Sequence, residues 1–318
     1  MKQTLDSMSI SVPFDMVKVL FDGYVERREY LNEIVVDCEY KTFELLGLKY
    51  VKIDKLKKRV EIEVSAKILK ENYLKKISVD TIEQVFREIE KYEVLKFLDV
   101  YEAIENACLF RGDFAKDLRL KENPNLYVFE LKKAVQRMSK RKWNIEEGKG
   151  NTSVVFKEKK KKNRLRAIFY NKEVEMLRGE EFKRLGIEIE AFKNVLRYEI
   201  NARSFENIRK LTGIQKKGDI KLLDVLNSES NSWLDVFRSL VPYEQQTKEI
   251  GKKFFRSWVE LEGAMHRFGG IEEYRNRLID EGFDRGYISR VINRLKIAMS
   301  YEKTSERLKE IYELLKSG

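Results

Sequence analysis

The sequence predicts an α+β fold, an antiparallel-sheet domain over 1–205 followed by an α-helical domain over 206–318. Three observations carry this expectation. Before about residue 205, short apolar or alternating runs of strand character are interleaved with amphipathic helical runs. Beyond it the strand signal stops and helical runs follow one another, punctuated by Gly269, Gly270, Gly282 and Gly286. The chain has only three prolines (Pro13, Pro124, Pro242) and no Ser/Gly-rich linker, so it is expected to be compact throughout.

In chain order, strands are expected over 9–12, 43–53, 60–65, 105–110, 153–156, 165–170 and 195–202. Asp80 is placed to cap a helix in which Ile82, Val85, Phe86 and Ile89 fall at helical spacing. A second helix over 127–138 puts Phe129, Leu131 and Val135 on its apolar side. In the second half the helical runs are 205–211, 233–240, 246–267, 271–281, 287–301 and 304–316.

With 318 residues, 42% hydrophobic and 37% charged, the chain is long enough for one large or two ordinary domains. No stretch approaches the roughly 20 apolar residues of a membrane span. Residues 1–13 lack the basic and apolar regions of a secretion signal, so a cytoplasmic protein with no membrane partner is expected. Cys38 and Cys108 are too few for a disulfide framework or a cysteine zinc cluster, and both are expected in the core. The net charge of +11, from 64 Lys and Arg against 53 Asp and Glu, fits a polyanionic partner better than a merely ion-paired surface.

The segment 150–175 reads as strand, basic turn, strand, then helix start. Lys157, Lys159, Lys160, Lys161, Lys162 and Arg164 crowd the turn, which suits either a grip on a phosphate backbone or a solvated hairpin tip. Strand alternation puts Tyr170 on one face with Arg166 and Ile168, and Lys172 and Glu175 follow closely. A phenol with a pKa of about 10 is a weak nucleophile until a neighbouring cation or metal stabilises its ionised form. Elsewhere Arg197, Glu199 and Asn201 share one strand face, and Arg111 has the same spacing to Asp113, with Asp117 further on. Each Arg-x-acid pair is compatible with an ordinary cross-strand ion pair or with a site.

The order and wording of these segments resemble the gene II family of filamentous-phage replication initiators, and more loosely the plasmid rolling-circle initiation proteins. The resemblance rests on Phe169-Tyr170-Asn171-Lys172-Glu173-Val174-Glu175, on Leu196-Arg197-Tyr198-Glu199, and on Val60-Glu61-Ile62 followed by Ser65-Ala66-Lys67-Ile68-Leu69 and Asn72. Arg111-Gly112-Asp113 is similar to the family's Arg-x-Asp strand, with Gly112 in place of the usual aliphatic residue, and 268–287 is similar to the helical region that follows the family's nuclease domain. The resemblance implies an antiparallel-sheet nuclease domain in which Tyr170 is the nucleophile that becomes linked to a DNA 5′ phosphate, assisted by Lys172.

The wider class of rolling-circle nucleases often binds metal through a histidine pair. This chain has one histidine, His266, expected on a helix surface or between helices. Any metal would therefore be Mg²⁺ or Mn²⁺ held by carboxylates, with Glu61, Asp113, Glu175 and Glu199 as the pool. Arg111, Lys159–Lys162, Arg164, Arg166 and Arg197 are the candidate DNA contacts. The expected partners are single-stranded or supercoiled origin DNA and a host helicase or polymerase. A mobilisation relaxase with the same chemistry, or a non-catalytic origin-binding or repressor protein, fits the same residues. By analogy with helices that enter a major groove, the helical part is expected to recognise the origin or mediate self-association.

Overall fold

Strand β6 (Arg59–Ser65) shows why a sheet forms here: Val60, Ile62 and Val64 are fully buried while Glu61 and Glu63 turn to the other face. The computed structural model describes residues 2–20, 26–30, 33–37, 46–54, 57–138, 142–147, 152–159, 165–179, 186–241, 259–260, 263–264, 267–301 and 306–317. The other strands are β1 (Leu5–Pro13), β2 (Val17–Val19), β3 (Glu26–Tyr30), β4 (Glu33–Asp37), β5 (Leu48–Asp54), β7 (Leu95–Phe97), β8 (Cys108–Arg119), β9 (Trp143–Glu147), β10 (Ser153–Glu158), β11 (Arg166–Asn171) and β12 (Val195–Ala202). All but β2 and β7 form one antiparallel ten-stranded sheet in the order β3-β4-β5-β6-β1-β8-β12-β11-β10-β9, and β2 pairs with β7 apart from it.

The helices are α1 (Ile82–Glu90), α2 (Val100–Asn106), α3 (Pro124–Met138), α4 (Lys172–Arg178), α5 (Phe205–Thr212), α6 (Leu222–Leu226), α7 (Ser232–Leu240), α8 (Ile271–Asp280), α9 (Arg285–Tyr301) and α10 (Glu306–Ser317). The apolar sheet face meets α7 through aromatic rings. Phe169 stacks on Tyr198 with centroids 4.1 Å apart, and Trp233 and Phe237 pack edge-on against them. Leu308, Ile311, Tyr312 and Leu315 of α10 belong to the same buried cluster, so the core runs across residue 205 from the sheet into α5–α7 and α10. Ala264, Ile271, Leu278, Ile288, Val291, Ile292 and Leu295 form a second, smaller cluster.

Several local expectations change. Thr81, not Asp80, caps α1, and its hydroxyl donates to the Lys76 carbonyl at 2.6 Å. Phe129 is 43% exposed, while Tyr127, Val128, Leu131 and Val135 form the buried side of α3. Glu105 lies in α2, and β8 starts at Cys108 and runs through Gly112, where a Cβ would meet Leu5 and Phe114 side-chain atoms at 3.3 Å. Cys108 is half-buried rather than in the core, while Cys38, His266 and most of the predicted helix 246–267 lie outside the described residues. Among the described residues no helix is long and apolar enough to cross a membrane.

Phe169 touches both the sheet core and α7, so Phe169→Ala is expected to destabilise the fold by about 3–5 kcal/mol, read as a lowered urea midpoint at unchanged slope.

Candidate active site

The register of three central strands assembles the site. Tyr170 on β11 lies opposite Arg197 on β12, which lies opposite Asp117 on β8. One step along, Glu199 sits between Ile168 and Ala115, and beyond it Asn201 sits between Arg166 and Asp113. These side chains share one face by strand alternation. A bulge in β1 adds another. Leu5 pairs with Phe114 and Ser7 with Asp113, which leaves Asp6 as the extra residue and turns it toward Arg197.

Arg197 is completely buried, and all three of its guanidinium nitrogens are engaged. Its guanidinium donates to Asp117 at 2.6 and 2.9 Å, to Asp6 at 2.6 Å and to the Tyr73 hydroxyl at 2.8 Å. Tyr73 comes from the 3-10 segment Ala66–Lys75, and Lys76 just after it pairs with Asp117 at 2.8 Å. Burial pushes the Asp6 and Asp117 carboxyls up, but Arg197 and nearby lysines outweigh it and hold both below the usual range.

Tyr170 donates its hydroxyl proton to a Glu199 oxygen in a short hydrogen bond. Burial, then the charge on Glu199, raises the Tyr170 phenol well above its ordinary value. Glu199 itself is pushed up to about 8, first by burial and then by the Asp6 carboxylate, with Asp113 adding to it and Arg197 opposing. The result is a half-buried carboxyl titrating near 8 beside a phenol, the arrangement of a proton acceptor and its donor. Lys172, the first residue of α4, follows the cap Asn171, whose side chain accepts from the Val174 amide. The Lys172 ammonium is 5.6 Å from the Tyr170 ring centroid and 5.2 Å from that of Tyr73, and it pairs with Glu175. Burial and Arg197 both lower its pKa.

The structure therefore brings Tyr170, Lys172, Glu175 and Glu199 together and puts Asp113 in the adjacent cross-strand row. Asp113 accepts from Ser7 at 2.5 Å and from Asn201 at 2.9 Å. Glu61 is not part of the group. It faces Ser11 and Lys52 and accepts from Tyr50 at 3.4 Å, four residues along β6 and two strands across from Asp113, on the order of 15 Å away. The four predicted metal ligands thus do not fit one ion. Among the described residues, no three His, Cys, Asp or Glu side chains are grouped to hold a metal.

The predicted DNA contacts divide as well. Arg197 cannot clamp a backbone, because it has no solvent exposure and its donors are taken by Asp6, Asp117 and Tyr73. Arg111 binds Glu63 at 3.2 Å and Arg166 binds Glu146 at 3.0 Å, each retaining partial exposure. Lys159 is exposed near the end of β10, and Lys160, Lys161, Lys162 and Arg164 lie outside the described residues. Asp6, Tyr73 and Lys76 carry no sequence signal that singles them out. Alternation from Ser7, Ser9 and Ser11 sends Asp6 to the opposite face, and only the bulge reverses it.

Arg197→Leu removes the main partner of two partly buried carboxylates, of which Asp117 keeps Lys76, and is expected to cost about 2–4 kcal/mol at neutral pH. The folded-state pKa values of Asp6 and Asp117 are depressed, so the stabilisation is present above the unfolded value near 4 and is lost as pH falls. The stability gap between variant and native protein, measured by urea titration, should accordingly hold down to about pH 4 and narrow below it.

No family model matches the chain, and no curated protein matches it by sequence. Among solved structures, the chain is similar to a rolling circle replication initiator protein from Geobacillus stearothermophilus, with 14% identity, a TM-score of 0.30, and coverage of 76% of this chain and 97% of that one.

Proposed function

We propose that the protein is a replication initiator of the rolling-circle type that nicks origin DNA with Tyr170. The observation that carries this reading is the Tyr170–Glu199 pair, a phenol hydrogen-bonded to a carboxyl whose pKa is raised to about 8. The Tyr170 oxygen attacks the scissile phosphorus as Glu199 takes the phenolic proton. A Tyr170–phosphorus bond forms, the bond from phosphorus to the 3′ oxygen breaks, and that oxygen takes up a proton from solvent to become the primer 3′ hydroxyl. Lys172, buried beside the Tyr170 and Tyr73 rings, offsets the negative charge of the reacting Tyr170 oxygen, and Glu175 holds Lys172 in place. Strand closure is the reverse: a 3′ hydroxyl attacks the phosphotyrosine, and Glu199 returns its proton to the departing phenolate.

The same residues support a plasmid mobilisation relaxase with identical chemistry. A non-catalytic origin-binding protein is the outcome if Tyr170 proves inert. The partners on this reading are single-stranded or supercoiled origin DNA, with a host helicase or polymerase extending the primer. A requirement for Mg²⁺ or Mn²⁺ belongs to the same proposal, with no step assigned to the ion.

Tyr170→Phe is expected to abolish nicking and the covalent protein–DNA adduct on denaturing gels, and equal activity in this variant would overturn the proposal. Omission of Mg²⁺ and Mn²⁺ with chelator should stop nicking, and activity that survives removes the ion from the reaction.

Because Glu199 must be ionised to accept the proton, single-turnover nicking should rise with pH through about 8 and then level, while strand closure should fall over the same range. Glu199→Gln should slow nicking by roughly 10²–10⁴-fold and flatten the profile. An unchanged pH profile in that variant would remove Glu199 from the proton transfer.

A further inference from the structure

The second apolar cluster is built by α8 and α9, which are joined by the four residues 281–284. The end of α8 closes in a reversing turn, with the Gly282 amide donating to the Ile279 carbonyl at 3.0 Å and the Phe283 amide to that of Leu278 at 3.1 Å. Gly282 sits at φ +78, the left-handed conformation that glycine adopts without steric penalty. Asp284 then starts α9, its carboxylate accepting from the Tyr287 amide at 2.9 Å. Two helices joined by a short glycine-containing turn and packed through their own apolar seam have the chain order and turn length of a helix-turn-helix unit.

The two faces of α9 are sharply different. Ile288, Val291, Ile292 and Leu295 recur at helical spacing and are buried. On the opposite side, Ser289, Arg290, Asn293 and Arg294 are all exposed. From Arg285 to Tyr301 the sequence contains no acidic residue. The arginines of α8 are neutralised locally, Arg275 by Glu272 at 3.3 Å and Arg277 by Glu281 at 2.7 Å. By contrast, Arg285, Arg290 and Arg294 make no ion pair among the described residues. Arginine and asparagine are the side chains whose paired hydrogen-bonding groups match the major-groove edges of guanine and adenine. A helix about 10–12 Å across also matches a major groove about 12 Å wide.

We infer that 271–301 is a double-stranded DNA-binding unit, with α9 entering the major groove and Ser289, Arg290, Asn293 and Arg294 facing the base edges. This surface is separate from the Tyr170 site and sets which duplex the protein selects. It deepens the proposed role at an origin, yet it also holds for a protein that binds DNA without cutting it.

The test uses the full-length chain carrying Tyr170→Phe, so that no DNA is cut, and a 30-base-pair duplex library with a randomised centre. Repeated selection should enrich a consensus, and Arg290→Ala and Asn293→Ala should each weaken binding to the enriched duplex by about tenfold or more. Arg290→Lys keeps the charge and should retain the salt dependence of binding while losing discrimination at one base pair. Circular dichroism checks that each variant is folded, and nicking of single-stranded oligonucleotides by variants with Tyr170 intact reports the other site independently. Enrichment of no sequence, the same consensus and affinity in a folded Arg290→Ala/Asn293→Ala/Arg294→Ala variant, or preference for single strands or RNA would each overturn the inference. Failure of nicking alone would leave it standing and overturn only the proposed chemistry.

Discussion

The buried guanidinium of Arg197 is the interaction on which the site depends. A cation without solvent contact is tolerated only when its charge and its donors are both satisfied, and here Asp6, Asp117 and Tyr73 do so from three separate segments. Those partners come from the N-terminal strand, the long central strand and the 3-10 segment after β6. Arg197 therefore ties together parts of the chain far apart in sequence at the point where Tyr170 crosses it on the neighbouring strand. An apolar residue of similar size would join the same strands, but it would leave Asp6 without its cation and Asp117 with Lys76 alone, and alter the potential felt by Glu199.

That potential sets the chemistry. Glu199 is raised by burial and by the carboxylates of Asp6 and Asp113, and Arg197 limits how far it rises. Lys172 is lowered by burial and by the same arginine. An acid pushed up and a base pushed down on either side of a phenol bring both groups closer to neutral pH, where a proton is shared more readily than between unshifted groups. The sheet makes this possible by being two-sided: Phe169, Tyr198, Trp233 and Phe237 fix the backbone from the apolar face, which leaves the polar face to carry Tyr170, Arg197 and Glu199 in register.

The alternation of β11 and β12 is legible in the sequence, because period-two patterning follows directly from strand geometry. Hence Tyr170 with Arg166, and Arg197 with Glu199, can be assigned to faces from residue order alone. The pairing of those strands with each other and with β8 is not legible, since register depends on partners distant in the chain. For the same reason Glu61 joins the predicted ligand pool through the resemblance of Val60-Glu61-Ile62, although its strand lies three positions from that of Glu199 in the sheet. Asp6 is invisible for the opposite reason: one inserted residue in β1 inverts the alternation, and nothing in its composition marks the bulge. Of the two roles open to Arg197 in the sequence, the ion pair with neighbouring acids is the one found and the DNA contact is not, because periodicity reports a face and not whether that face is solvated. The capping of α9 by Asp284 and its helical spacing are readable, but the pairing state of its arginines depends on the packed chain.

Raising the pKa of Glu199 also carries a thermodynamic consequence. A carboxyl whose folded-state pKa lies above its unfolded value favours the folded state when protonated, so its stabilisation is present at low pH and is lost as pH rises through about 8. Asp6 and Asp117 have the opposite linkage, contributing above the ordinary carboxylate range and losing their effect in acid. The ionised Glu199 that accepts the phenolic proton is thus the form the fold disfavours, and it is the form reached just where the Arg197 clamp is fully charged. One buried arginine therefore holds the strands together in the same pH range in which the neighbouring carboxylate becomes reactive and destabilising. Separating these effects by substitution at 197 alone is not possible, because the charge that restrains Glu199 is the charge that pairs Asp6 and Asp117.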